Sequence, residues 1–141
     1  MSTSNTRPLT GGCQCGAARY EIAGPILSRY VCHCRECQKQ SASAFGISIA
    51  VRSADVRLIQ GKLLRWSRRT DSGGTLHCFF CLECGTRVWH GDKDSESEIS
   101  VKGGSLDEPA DLSGAIHIWT IRKLPGVIIP EGAQQYAMEP D

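Results

Sequence analysis

Apolar and polar residues alternate along most of this chain in short stretches, each bounded by turn residues. The clearest stretch is 45–51, FGISIAV, where Phe45, Ile47, Ile49 and Val51 share one face at period two. That pattern predicts a strand with one buried face. Residues 18–23 alternate more weakly, with Tyr20 and Ile22 on one side, and 26–32 form a second candidate set off by Gly24-Pro25. Residues 56–59 and 63–67 are expected to close a hairpin around Gln60-Gly61-Lys62. Stretches 76–80, 87–90, 99–102 and 116–120 continue the strand pattern, and only 35–42 predicts a helical turn or two. Many short strands with regular turn signals predict a mainly β domain, a folded sheet or small barrel. Residues 92–98 read as a solvated loop, and the irregular stretch 125–141 is expected to wrap the surface.

Charge narrows the function classes. Sixteen basic side chains nearly cancel fifteen acidic ones. There is no basic footprint for nucleic acid and no polybasic anchor for a membrane. Seven thiolates loaded with two zinc ions would move the formal charge from +1 to −2, further from a nucleic-acid binder. Residues 1–6 are polar and uncharged, unlike a signal peptide, and no apolar run is long enough to span a bilayer. The expected compartment is the cytoplasm, where stable disulfides are disfavoured.

The cysteines carry the chemistry. Seven of the eight fall into three clusters: Cys13-Gln14-Cys15-Gly16, Cys32-His33-Cys34-Arg35-Glu36-Cys37 and Cys81-Leu82-Glu83-Cys84-Gly85. Close CxC and CxxC spacing suits one metal ion better than long-range bridges, and zinc favours sulfur. Two pairs supply the four ligands of a closed structural site, each pair followed by a glycine that tolerates positive φ. Buried free cysteines are the plainer alternative. The triplet is one ligand short, and an open zinc position can ionise a bound thiol or water. The competing reading closes the triplet with Cys78, His77, His90 or His117; His33 is too near in sequence to serve comfortably. Cys78 itself reads most simply as a strand residue.

Five segments in order, GGCQCGAARYEI, VCHCRECQKQSASAFGISIAV, FFCLECGTRVW, KGGSLDEPADL and IHIWTIRKLPGV, together resemble the glutathione-dependent formaldehyde-activating enzyme family, also called the GFA or CENP-V type. The resemblance implies an Mss4-like fold: a complex of short antiparallel sheets around a zinc knuckle, with one or two short helical turns. It implies a flexible N-terminus over 1–8, a zinc domain over 9–136 and a tail over 137–141. It implies two zinc ions, a structural one on Cys13, Cys15, Cys81 and Cys84 and a catalytic one on Cys32, Cys34 and Cys37. The implied activity is that of a carbon–sulfur lyase, joining formaldehyde and glutathione as S-hydroxymethylglutathione.

Glutathione is anionic at both ends, so its pocket needs cationic or backbone donors. Arg35, Lys39 and Arg87 lie near the knuckles and are the candidates for binding it. Gln38 and Ser41 could orient a ligand or cap the short helix, and Phe45, Trp89 and Trp119 could line the pocket or simply pack in the core. Cys78 and the glycine of the KLPG stretch depart from the family pattern, and neither touches the seven ligands. The alternative reading is a non-enzymatic zinc-stabilised binding module. A small β-rich domain can also pair through sheet edges as a homodimer.

Overall fold

Ten strands and one α-helix are present among the described residues, 7–139, of the computed structural model. The expected flexible segment 1–8 falls largely on 1–6, outside the described residues, as do residues 140–141 of the expected tail. A three-stranded sheet holds β1 (Leu9–Gly12), β2 (Arg19–Ile22) and β5 (Val56–Gln60) in the order β1-β2-β5. The second sheet is built from β3 (Ser28–Cys32), β4 (Gly46–Arg52), β6 (Leu63–Arg69), β7 (Thr75–Cys81), β8 (Arg87–His90), β9 (Glu98–Lys102) and β10 (Ile116–Ile118). Its order is β10-β3-β4-β9-β8-β7-β6. All pairs are antiparallel except β10 with β3. The fold is mainly β, as the patterning predicts.

The core fills the space between the two sheets. Tyr20, Ile22 and Val56 come from the small sheet, and Ile49, Val51, Trp89, Ile99 and Val101 from the large one. Period two explains the choice: Ile49 and Val51 of β4, and Ile99 and Val101 of β9, alternate with smaller or polar neighbours. Tyr20 keeps its hydroxyl satisfied inside the core by pairing with Ser105 Oγ at 2.7 Å. Gly11 is required opposite it, because a Cβ there would overlap that ring and the Ser105 carbonyl. Across the same corner Arg19 Nη1 donates to Asp107 Oδ1 at 2.9 Å.

The expected hairpin of 56–59 with 63–67 does not form. β5 pairs with β2, placing Val56 opposite Ile22 and Leu58 opposite Tyr20. β6 pairs instead with β7. The apolar face of β5 matches β2, whereas β6 is mostly exposed and needs only one neighbour. Gly61, at φ +84°, turns the chain from one sheet to the other, close against the Ala17 carbonyl. Pattern alone does not predict β1, since LTGG offers one apolar side chain.

The expected wrapping of the tail is observed. His117 N–H donates to the Gln134 carbonyl at 2.9 Å, and Tyr136 N–H returns to the His117 carbonyl at 2.8 Å. The tail thereby covers the outer edge of β10, which would otherwise expose unpaired backbone groups.

The helix α1 (Arg35–Ser41) is short because its ends are tightly specified. Cys34 is its N-cap, its sulfur accepting from the Cys37 N–H at 3.3 Å. Glu36 in the first turn complements the helix dipole. Ala42 leaves the helix in the left-handed region at φ 52°, and Ser43 N–H reaches back to the Gln38 carbonyl at 3.2 Å.

Candidate metal centres and their cleft

Two groups of sulfurs converge among the described residues. Cys13, Cys15, Cys81 and Cys84 have ligand atoms all within 4.8 Å of one another, and so do Cys32, Cys34 and Cys37. Each group could hold a metal ion.

The four-sulfur group is made by two equivalent turns at the ends of β1 and β7. Gly16 N–H donates to the Cys13 carbonyl at 3.1 Å, and Gly85 N–H to the Cys81 carbonyl at 3.0 Å. Both glycines have positive φ, +83° and +81°, as the sequence pattern predicted. Backbone donors also reach the sulfurs: Ala18 N–H to Cys13 Sγ at 3.2 Å and Glu83 N–H to Cys81 Sγ at 3.3 Å. Thr86 bridges the turns. Its hydroxyl accepts from the Gln14 N–H at 3.0 Å and lies 3.2 Å from Cys84 Sγ, to which it donates when the sulfur is a thiolate. That hydroxyl and the Thr86 backbone N–H pull the Cys84 thiol down to about 5. Such outer contacts orient metal ligands and stabilise their thiolate form.

The triplet lies where β3 meets α1. Cys32 ends the strand, Cys34 caps the helix and Cys37 sits in its first turn. Neighbouring thiols and the Cys37 and Glu36 N–H groups pull Cys34 down to about 2, while the Cys34 and Cys37 sulfurs push Cys32 up. One thiolate forms readily and suppresses ionisation of its neighbours. A divalent cation is what allows all three to ionise together, so the donor set fits one. No fourth His, Cys, Asp or Glu ligand atom joins this group among the described residues. Cys78 is fully buried in β7 opposite His90, and its thiol is pushed up by burial. His117 faces His33 instead, Nδ1 to Nε2 at 3.0 Å, and burial lowers both imidazoles. His77 pairs with Ser67 at 2.7 Å.

The second face of the large sheet carries the polar residues. Side chains directly opposite one another share a face. Cys32 lies opposite Gly46, Ser48 opposite Lys102, Ser100 opposite His90, and His90 opposite Cys78. Gly46 permits the close approach of β4 to the triplet: a Cβ there would lie 3.1 Å from Cys37 Cβ and 3.3 Å from its sulfur. Lys102 is buried, with Nζ donating to Ser48 Oγ at 3.2 Å. Burial lowers its pKa, and the Cys37 and Cys32 sulfurs act in the opposite sense. Burial and the nearby Lys102, Arg87 and Arg68 charges hold His90 near 3. It is therefore neutral, and its Nε2 accepts from Arg87 Nη1 at 3.0 Å. Arg87 also lies over the Trp66 ring, 5.4 Å from its centroid.

A cleft of about 360 Å³ lies between α1, the turn after Cys84 and the end of β9, and none of the three cysteines of the triplet is among its walls. Gln40, Phe45, Ile47, Thr86, Arg87 and Lys102 are among its walls. Gln40 Nε2 is buried without a hydrogen-bond partner. It lies 2.8 Å from the same Cβ position on Gly46, so it stands within about 6 Å of the Cys37 sulfur.

Of the cations named from sequence, Arg87 lines this cleft, while Arg35 and Lys39 are exposed on α1 and are not among its walls. Phe45 lines it too; Trp89 is core. Trp119 is half-buried and adopts φ 56°, outside the cleft wall. Gln38 is structural, donating to the His33 and Arg122 carbonyls at 2.8 and 3.0 Å. Ser41 donates to the Cys37 carbonyl at 2.7 Å. Sequence reasoning missed Lys102, Gln40 and Thr86. For Lys102 a signal existed: Ile99 and Val101 facing the core put Ser100 and Lys102 on the opposite face.

The family model described as glutathione-dependent formaldehyde-activating enzyme matches residues 8–122. Among solved structures, the chain is similar to that of a Rhodobacter sphaeroides protein. The two are 24% identical, with a TM-score of 0.58 over 77% of this chain and 98% of that one. This second likeness concerns the fold. No helix among the described residues is long and apolar enough to cross a membrane.

Proposed function

The chain belongs to the glutathione-dependent formaldehyde-activating enzyme family, and from that premise we propose that it is a zinc-dependent carbon–sulfur lyase-type enzyme acting on a thiol adduct. The reaction is the reversible addition of glutathione to formaldehyde. The sulfur–carbon bond forms, the carbonyl π pair moves to oxygen, and the thiol proton ends on that oxygen as the hydroxyl of S-hydroxymethylglutathione. The observation that carries this reading is the unequal division of sulfurs, four in one group and three in the other, with Gln40 of a neighbouring cleft wall within about 6 Å of the Cys37 sulfur. Cys13, Cys15, Cys81 and Cys84 hold a structural zinc in this reading, and Cys32, Cys34 and Cys37 a catalytic one. A metal with three sulfur ligands supplies Lewis acidity that favours the thiolate form of an incoming thiol.

The remaining work falls to the chain. Arg87 and Lys102 give the cleft positive charge suited to the carboxylates and sulfur of an anionic tripeptide. Arg87 is held in place by His90 and Trp66, so it loses little freedom on binding. Phe45 and Ile47 keep part of the wall apolar and exclude water from the reacting atoms. Gln40 Nε2, buried and unpartnered, is available to donate to the aldehyde oxygen as charge develops there. A reducing cytoplasm would keep all seven thiols available.

The test is zinc stoichiometry with and without glutathione, joined to exchange spectroscopy of S-hydroxymethylglutathione formation by NMR. Two zinc ions per chain, one responding to glutathione, together with accelerated adduct exchange, is the expected result. One tightly held zinc, no response and no acceleration would leave a zinc-stabilised binding module instead.

A further inference from the structure

We propose that Lys102 is the built-in countercharge of the Cys32–Cys34–Cys37 site, a positioning residue that makes room for a fourth anionic sulfur beside the three already ionised. The inference rests on the reading that the triplet holds a divalent metal and receives a thiolate. Three thiolates with a dication carry a net −1, and an entering thiolate makes −2. A buried site disfavours that charge unless a cation is buried with it.

Lys102 meets this need by position. It is the last residue of β9, opposite Ser48, and Ser48 lies two residues beyond Gly46, the partner of Cys32. Lys102, Cys32 and Gly46 thus share the polar face, and Gly46 is small enough for Cys37 to press against it. The lysine is only 7% exposed, which is rare for this residue without a charged partner. Its ammonium has one hydrogen bond to a neutral hydroxyl, Ser48 Oγ at 3.2 Å, and none to a carboxylate among the described residues. Arg87 adds like charge nearby, and the charges that oppose the cost of burial are those of the Cys37, Cys32 and Cys78 sulfurs. Lys102 also forms part of the cleft wall.

The experiment loads the protein with Co²⁺ and titrates it with glutathione and with 2-mercaptoethanol, reading the sulfur-to-cobalt absorption band. Lys102→Met preserves length and packing. It is expected to bind two cobalt ions but to take up both thiols about 10- to 100-fold more weakly, the scale of a lost charge-assisted contact. Lys102→Arg should recover much of the loss. Ser48→Ala, which frees Nζ without removing its charge, provides a second variant and should give a smaller shift of the same sign. Unchanged thiol affinity in Lys102→Met overturns the proposal. So does a loss confined to glutathione, which would make Lys102 a carboxylate binder. If the wild-type band responds to neither thiol, the proposed function fails before Lys102 is tested.

Discussion

Replacing one sulfur in each group should separate a fastening metal from a working one. Cys81 and Cys34 are the informative pair. Cys81 lies 66 residues from its neighbour Cys15, whereas Cys32 and Cys37 are five positions apart. Bringing chain ends together costs about (3/2)RT ln n, roughly 3.7 kcal/mol for the long closure and about 1.4 kcal/mol for the short one. The difference of about 2 kcal/mol is a lower bound. An unfolded CxCxxC segment can still gather a metal ion locally, and binding to the unfolded chain discounts stabilisation. The four-sulfur set exists only after folding, so a metal held there would add to folding free energy in full, on a scale of about 10 kcal/mol in small zinc modules. That is comparable to the whole stability of a typical domain, about 5–15 kcal/mol. Cys34→Ser is also a mild change to the backbone, because serine is a good N-cap and can still accept from the Cys37 N–H. We expect Cys81→Ser to lose one zinc and to melt at least about 15 °C lower or fail to fold. Cys34→Ser should melt within a few degrees of the parent while losing glutathione binding. Thermal denaturation by circular dichroism, paired with zinc content by atomic absorption, reads both. Equal destabilisation by the two substitutions would refute the division of labour.

Three further outcomes follow from contacts around the sulfurs. Thr86→Val removes the hydroxyl that joins Gln14 to Cys84; it should speed zinc release from the four-sulfur group to a chelator by about tenfold, with the triplet unaffected. Gly46→Ala places a methyl group against Cys37 and Gln40; overpacking of this kind costs about 1–3 kcal/mol, and a two-site metal titration should show the triplet weakened selectively. Gln40→Leu removes the orphan donor at the cleft; kcat for adduct formation should fall about 10- to 100-fold with glutathione binding retained, and an unchanged kcat would exclude Gln40 from the oxygen site.

Local patterns were legible and partner choices were not. The alternation in 45–51 identified β4, and the spacing of cysteines identified both sulfur groups, because each signal lies within a few residues. The fate of β5 and β6 could not be read locally. A turn sequence allows a hairpin, but the match of Val56 and Leu58 to Ile22 and Tyr20, across more than thirty positions, sent β5 to the other sheet. Arg35 and Lys39 were plausible by proximity to the triplet in sequence, yet the helix turns them outward. Gln40 and Thr86 have ordinary sequence contexts, and only the folded contacts distinguish them.

One pattern carries two meanings. In GISIAVR the isoleucines and valine announce the buried face, while Gly46, Ser48 and Ala50 look like the residues left over. The pairing reverses that emphasis. Gly46 stands opposite Cys32 and Ser48 opposite Lys102, so the smaller residues of β4 face the site that its larger ones support from behind. The same holds in β9, where Ile99 and Val101 fill the core and Lys102 faces the sulfurs. A strand with an apolar face against a core and small or polar residues on the other is commonly a strand half in water. Here that second face is covered by α1 and the triplet, and Lys102 is buried there. A lysine at the end of such a strand is thus worth testing whenever the neighbouring strand begins with glycine beside a metal-spaced cysteine group. Its burial, rather than its sequence, distinguishes a countercharge from a surface cation.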